Sequence, residues 1–267
     1  MLFAKPGKYE PCGLFTKGHL ELLITTIFGI IIALNKTKDA DKDSTKKIIR
    51  ICTIILWGME IIKIIFNLLI GNIDKPNTYI PLYYCSLILY AGIFSSIGKG
   101  VIKKIGDTFI MTGSLIGGIC FLISPNTSLT TYPMWHYISI QSFIFHGIMV
   151  YLGILLNKVG YEEIKFKDIF YNGGLVTIAS ILAYIVNIKF DTNLMFVSKN
   201  FPNTPIDIIY KTTGKFFTPI MIIAQATIPF ILVYQIRNKI WTSKNAQDIK
   251  KLFTKVAEKE GLNEIKE

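Results

Sequence analysis

Charged side chains are scarce in this sequence. Asp, Glu, Lys and Arg make up 18% of its 267 residues, against roughly 25% in soluble proteins. Hydrophobic residues account for 51%, and the mean hydropathy is +0.45. The longest loop between apolar runs covers only about residues 189–213, so no soluble domain fits between the runs. This composition excludes an ordinary soluble enzyme and predicts a membrane protein.

The sequence also lacks the motifs that bind common cofactors. It contains no Gly-rich phosphate loop and no cluster of metal ligands at typical spacing, so we expect neither a cofactor nor a metal. Its four cysteines form neither a metal motif nor a disulfide framework. Two of them, Cys52 and Cys120, are interpreted as small hydrophobic residues buried in apolar runs. Gly113 and Gly117 predict a seam where helices pack closely. The cysteines are Cys12, Cys52, Cys85 and Cys120.

Seven apolar runs are long enough to cross a membrane as helices, which takes roughly 17–25 residues. They predict an all-α, polytopic helix bundle in the cell membrane, with residues 1–236 forming a single transmembrane domain. The sixth run is the weakest because Gly173 and Gly174 interrupt it, so six spans with one re-entrant segment is the alternative. The approximate spans are 18–35, 48–71, 77–97, 105–124, 133–156, 168–188 and 214–236.

Lysine and arginine are distributed unevenly between the two sides of such a bundle. With seven spans, eight fall on the side of the N-terminus and twenty on the other side. Since positive residues are retained in the cytoplasm, we expect the N-terminus outside and the C-terminus inside. This topology accounts for the net charge of +11 without a nucleic-acid partner. Residues 237–267 are expected to form a basic cytoplasmic tail, amphipathic through Ile249, Leu252, Phe253 and Val256.

Ionisable side chains inside the apolar runs are few, and such groups usually face the bundle interior or a cavity. Glu60 and Lys63 lie three residues apart in the second run and are interpreted as a structural intramembrane pair. All three histidines lie in or at a run: His19 opens the first, and two belong to the fifth. Helical spacing predicts one polar stripe formed by His136, Ser139, Phe143 and His146.

One cysteine can meet these polar groups. The stretch "YIPLYYCSLILY", residues 79–90, contains Cys85, whose thiol is inert in apolar surroundings unless a base activates it. A neutral imidazole can accept the thiol proton. Helical rise puts Cys85 about 12 Å and His146 about 16 Å below the outer surface, so the two can meet in a cavity open to the outer leaflet. His136 is the rival base. A lipid ester carbonyl lies near this depth.

Four blocks of the sequence resemble a known family. "FTKGHLELL" is similar to its opening Phe/His block, "IPLYYC" to its Pro-Leu-x-x-Cys block, and "YPMWHYISIQSFIFHG" to its fifth-span histidine block. "NLMFVSKNFP" is similar to its Asn-x-Met loop through Asn193, Met195 and Pro202. By the order and spacing of these blocks the chain resembles the YwaF-type integral membrane proteins of bacteria. That family is related to the eukaryotic transmembrane protein 164, a cysteine acyltransferase that remodels ether phospholipids.

The resemblance implies an acyltransferase in which Cys85 is the acyl-accepting nucleophile and His146 the general base. Its partners would be a membrane phospholipid and a lysophospholipid; transfer or hydrolysis, and the oligomeric state, are left open. The family often has a histidine where this chain has Tyr83 and Tyr84, and a tyrosine hydroxyl can stabilise an oxyanion. The supporting or substrate-binding candidates are His19, His136, Tyr83, Tyr84, Ser139, Gln141 and Asn193.

A non-enzymatic receptor or small-solute carrier is the alternative. In that class Glu60, Lys63 and the histidines would bind a ligand or protons in a polar cavity. The sequence shows no internal repeat and no matched pair of broken helices, which are typical of secondary transporters. The last run has Lys215 only at its outer edge, so it has no mid-span lysine for a retinal Schiff base.

Overall fold

The computed structural model describes residues 1–202 and 204–259, and side chains within 1–202 and 204–239. Every regular element in this part of the chain is a helix. The all-helical architecture predicted from the sequence is thus observed. The α-helices are α1 (Lys17–Lys36), α2 (Lys42–Leu69), α3 (Leu87–Ile97), α4 (Gly100–Phe109), α5 (Leu115–Ile123), α6 (Tyr137–Lys158), α7 (Ile169–Phe190), α8 (Pro205–Thr213) and α9 (Phe217–Lys259).

Five helical segments in these residues are long and apolar enough to cross a membrane, which agrees with a membrane protein. Helix α2, with 28 residues, is also long enough, but it carries Arg50, Glu60 and Lys63. Helix α3 has only 11 residues. The count of seven spans and the orientation therefore stay predictions. The five segments are Lys17–Lys36, Gly100–Ile123, Tyr137–Lys158, Phe166–Phe190 and Pro205–Lys239.

The sequence predicted that the third apolar run, 77–97, forms one helix, and this prediction is wrong. Only its second half is helical, from Leu87, whereas the chain between Tyr79 and Ser86 forms bends and turns. Pro81 contributes, because proline lacks a backbone donor and disfavours a helical residue before it. Irregular backbone at membrane depth is tolerated where protein buries it. Cys85 therefore lies in the turn leading into α3, and the depth calculated from helical rise does not apply to it.

Helices α4 and α5 are joined by a π-helical segment, Ile110–Ser114, into one rod. Its glycines allow close approach of two different neighbours. A Cβ atom on Gly118 would lie 3.0 Å from the carbonyl oxygen of His146 in α6, so this glycine lets α5 pack directly on α6. A Cβ on Gly113 would lie 2.8 Å from the Tyr84 hydroxyl. The predicted seam at Gly113 and Gly117 thus accommodates a tyrosine ring.

Long-range contacts define the two ends of the bundle. At one end the N-terminal segment pairs with the loop before α6: Gly13 N–H donates to Leu129 O and Tyr137 N–H donates to Leu2 O. At the end where α6 stops, Lys104 forms an ion pair with Glu162 at 3.0 Å. Each end of the bundle is therefore tied together by segments far apart in sequence.

Helix α9 continues without a break from its apolar part to Lys259 and contains Pro229. The expected tail, 237–267, thus begins as a continuation of the last apolar segment. The amphipathic face predicted for the tail lies outside the described side chains, and residues 260–267 lie outside the described residues altogether.

Candidate functional site

Cys85 sits in the turn that begins α3. Leu87 N–H donates to Tyr84 O, and Ile88 N–H donates to Cys85 O, each at 3.3 Å. The half-buried thiol points toward α5, where its sulfur lies 3.9 Å from Gly117 O. The turn therefore places the thiol against the backbone of α5.

His146 is buried in α6, with 7% of its surface exposed. Its Nδ1 lies 2.6 Å from the carbonyl oxygen of Ser142. A carbonyl only accepts hydrogen bonds, so Nδ1 carries the proton in the neutral ring and Nε2 keeps a lone pair. Nε2 is buried and has no hydrogen-bond partner in the described structure. Phe121 stacks on the ring at 3.6 Å, which fixes the imidazole plane.

Helix α5 brings Cys85 and His146 to two adjacent residues. The Cys85 thiol contacts the carbonyl of Gly117, and the backbone of His146 packs on Gly118. No direct hydrogen bond joins the thiol to the imidazole in the described part of the chain. The two residues thus lie beside adjacent positions of α5, and their side chains are not hydrogen bonded to each other in the described structure.

Tyr84 and Tyr83 point to different parts of the bundle. The Tyr84 ring covers Gly117, where a Cβ would lie 3.1 Å from the ring. Its hydroxyl is buried without a hydrogen-bond partner in the described structure. Tyr83 instead contacts the ring of Phe196, 5.6 Å between centroids, in the loop after α7. Tyr84 therefore belongs to the surroundings of Cys85, and Tyr83 connects them to a distant loop.

Glu60 and Lys63 form an ion pair, with Lys63 Nζ 2.6 Å from Glu60 Oε1. The ammonium lies off the direction of a hydrogen bond, so this carboxylate oxygen has a compensating charge but no aligned donor. Glu60 is 1% exposed. Because a buried carboxylate without a counter-charge is very costly, the pair explains how Glu60 is tolerated in α2.

The other two histidines use both ring nitrogens. His19 Nδ1 accepts from Phe15 N–H at 3.1 Å, and its Nε2 donates to Leu122 O at 3.1 Å. His136 caps α6: Nδ1 accepts from Ile138 N–H at 3.1 Å, and Nε2 donates to Ala4 O at 3.0 Å. Neither has a free nitrogen. His146 is thus the histidine with an available lone pair.

The remaining polar candidates make local contacts. Ser139 Oγ donates to Pro133 O at 2.9 Å, and Gln141 Oε1 accepts a long hydrogen bond, 3.5 Å, from Ser142 Oγ. Asn193 Oδ1 accepts from the backbone N–H groups of Ser198 and Lys199. These bonds satisfy the side chains where they lie and hold local backbone. The structure does not bring them to the Cys85 thiol.

Several important residues have no clear signal in the sequence. Asn187, near the end of α7, donates to Leu194 O and accepts from Leu194 N–H. It thereby holds the loop in which Met195 and Phe196 adopt positive φ angles of 57° and 53°. Ser142 could be inferred as the residue one helical turn before His146. The stacking of Phe121 on His146 depends on tertiary packing and could not be inferred from the sequence.

In the part of the chain with defined placement, no three His, Cys, Asp or Glu side chains come together to hold a metal ion. Neither a curated protein nor a solved structure matches the chain. A model of a family described as the TMEM164 family matches residues 14–237, which include His19, Cys85, His146 and Asn193. The finer grouping with the bacterial YwaF type stays a prediction. The match covers most of the sequence, and the chain belongs to the TMEM164 family.

Proposed function

We propose that this membrane protein transfers acyl chains between phospholipids through a thioester on Cys85. The observation that carries this function is the state of His146: its Nδ1–H is held by Ser142 O, and its buried Nε2 has no partner among the described residues. A buried, unpartnered lone pair is costly and suits a group that must accept a proton.

In the first half-reaction, Nε2 of His146 takes the proton of the Cys85 thiol. The thiolate attacks the carbonyl carbon of a phospholipid ester and gives a tetrahedral oxyanion. The ester C–O bond then breaks, and the leaving lysophospholipid oxygen takes the proton from His146. The products are an acyl thioester on Cys85 and a free lysophospholipid, and the imidazole returns to its neutral form.

In the second half-reaction, the hydroxyl of a lysophospholipid gives its proton to His146 Nε2 and attacks the thioester carbonyl. The C–S bond breaks, and the Cys85 sulfur recovers the proton. If water replaces the lipid hydroxyl, the same steps release a fatty acid. The thiol and imidazole are not hydrogen bonded in this structure, and catalytic hydrogen bonds often tighten only when substrate is bound.

One neighbour takes part in the chemistry of this scheme. The buried Tyr84 hydroxyl lacks a partner in the described structure and is the donor for the oxyanion, since preorganised donors stabilise such charge. Tyr83 and Asn193 lie toward the loop after α7 and take part in lipid access rather than in bond breaking.

The function is tested by incubating the purified full chain with phosphatidylcholine that carries an isotopically labelled acyl chain, followed by intact mass measurement. The wild type should gain the mass of one acyl group, and hydroxylamine should remove it, because thioesters are cleaved by this reagent. Cys85→Ala should gain no mass. Cys52→Ala is the matched control: Cys52 is buried in α2 and its removal should leave the adduct intact.

The competing class gives a different pattern in the same preparation. A receptor or carrier would show no adduct and no labelled lysolipid product, together with saturable binding of a small solute that survives Cys85→Ala. An adduct that persists in Cys85→Ala would also contradict the proposed nucleophile.

A further inference from the structure

A groove of about 470 Å³ lies between α2 and the second half of α3, away from Cys85. Its walls are mainly apolar, including Ile54, Ile61 and Ile93. Ile54 is 65% exposed, so this face is turned outward from the bundle. Gly58 leaves the groove open, since a Cβ atom there would meet no protein atom within 4 Å. The groove therefore has the shape and chemistry to hold a hydrocarbon chain.

Arg50 lies at the end of this groove with most of its hydrogen-bonding capacity unused. Among the described residues, it makes one hydrogen bond, from Nη2 to Ser96 O at 3.4 Å, whereas a guanidinium has five N–H donors. The ion pairs formed by the described side chains do not include Arg50. The hydroxyls of Thr53 and Ser96 donate to their own helix carbonyls. Arg50 thus offers a charge without a counter-charge in the described structure.

The surroundings of Arg50 favour an anion. Lys46 and Lys47 lie one turn before it on α2, and Lys99 follows the end of α3. Clusters of basic side chains at a membrane surface attract anionic lipids, and guanidinium groups bind phosphate with two parallel hydrogen bonds. The charged end and the apolar walls together match the two parts of a phospholipid.

We propose that the groove binds an anionic phospholipid, with its phosphate on Arg50 and one acyl chain between α2 and α3. This is a second lipid site, separate from the acyl-transfer site. Ile93 lies six residues into α3 from Leu87, about 9 Å along the helix, whereas Cys85 precedes the helix, and the groove extends further from Cys85 toward Ile97. Binding here requires no chemistry at Cys85.

The site is tested by native mass spectrometry of the full chain in detergent, titrated with phosphatidylglycerol or with diacylglycerol of the same acyl chains. Arg50→Gln should weaken phosphatidylglycerol binding at least tenfold and leave diacylglycerol binding unchanged, and Arg50→Lys should retain most of it. Lys42→Gln is the matched control, because Lys42 is an exposed lysine on the same helix two turns before Arg50, and it should bind within twofold of the wild type. Equal weakening in Lys42→Gln and Arg50→Gln would overturn the site in favour of diffuse attraction to the basic surface.

The apolar part is tested with Gly58→Leu, whose side chain projects into open groove space. Both lipids should bind at least tenfold more weakly. Gly29→Leu is the control, because a Cβ on Gly29 in α1 also meets no protein atom within 4 Å, and binding should be unchanged. Inorganic phosphate alone should bind too weakly to detect. The proposal would be overturned if Gly58→Leu bound phosphatidylglycerol as tightly as the wild type does. It would also be overturned if inorganic phosphate alone bound detectably and Arg50→Gln abolished that binding. Cys85→Ala should bind as the wild type does, so failure of acyl transfer and failure of this site are distinguishable.

Discussion

At the scale of single residues, the three histidines differ in their hydrogen bonds, and this difference separates the candidate general base from the two structural histidines. His19 and His136 each use both ring nitrogens on backbone groups. His146 uses one and leaves the other without a partner in the described structure. The composition alone gives no preference among them; the difference comes from which carbonyl or N–H group lies beside each ring.

Substitution should therefore separate a catalytic histidine from a structural one. His146→Gln should lower the acyl-transfer rate by about 10²–10⁴-fold, the contribution typical of a general base, with little change in unfolding temperature. His136→Gln should keep activity but lose about 1 kcal/mol of stability, because His136 caps α6. Single-turnover rates and thermal unfolding in detergent measure the two effects. Equal activity in wild type and His146→Gln would remove His146 from the mechanism.

Tyr84→Phe should change stability and activity in opposite directions. Its hydroxyl is buried without a partner in the described structure, and such a group costs about 1–3 kcal/mol, so its removal should raise the unfolding temperature. Loss of an oxyanion donor should lower the rate by about 10²-fold. Tyr90→Phe is the control: its hydroxyl donates to Pro81 O, and removal should lower the unfolding temperature. A destabilised Tyr84→Phe would mean that the hydroxyl has a stabilising partner.

At the scale of elements, the contact between α5 and α6 depends on Gly118. A Cβ there would lie 2.8 Å from Val150 Cγ2 and 3.0 Å from His146 O, and a backbone atom cannot move away without shifting the helix. Both groups of the candidate site depend on this contact, since Cys85 reaches the next residue, Gly117.

Gly118→Ala should consequently destabilise the protein and lower acyl transfer, although alanine normally stabilises a helix relative to glycine by about 0.5–1 kcal/mol. Gly29→Ala, in open space on α1, should show that ordinary gain. Unfolding temperatures of the two variants give the comparison. If both variants are stabilised alike, the close packing at Gly118 is not tight enough to matter.

Hydrophobic runs predicted most helices, but the sequence could not give the irregular parts of the third run and of the α4–α5 rod. Residues 77–86 open an apolar run that continues through α3, and hydropathy does not register how Pro81 and the tertiary contacts shape the backbone. The π-helical segment Ile110–Ser114 likewise has no pattern of its own. The sequence predicted Cys120 to be buried; it is exposed. The local hydrophobic pattern predicts where helices form, whereas the burial of a side chain depends on the helices that pack around it.

At the scale of the whole molecule, the histidine and cysteine of the candidate site come from residues 61 positions apart, Cys85 and His146. The sequence predicted both, from their chemistry and from the resemblance to a family, and their roles stay a prediction. It did not indicate that α5 would lie between them, because Gly117 predicted only close helix packing and Gly118 and Phe121 carry no chemical signal. Only packing reveals that these three residues position the pair.

The predicted orientation is tested by single cysteines introduced into a cysteine-free chain at two exposed lysines. Lys5 belongs to the N-terminal segment and Lys99 to the junction between α3 and α4. A membrane-impermeant maleimide added to whole cells should label Lys5→Cys, because the N-terminal end is expected outside. Lys99→Cys should be labelled only after lysis. The reverse pattern would invert the topology, and labelling of both positions in whole cells would contradict a fixed orientation.

The N-terminal segment also sets an order of events during synthesis. The carbonyl of Ala4 is held by His136, 132 residues later in the chain, and Cys12 N–H donates to Tyr132 O. Ala4 and Cys12 therefore have no docking surface until the loop before α6 has emerged from the ribosome. This end can therefore close only after the five helices α1–α5 have been synthesised.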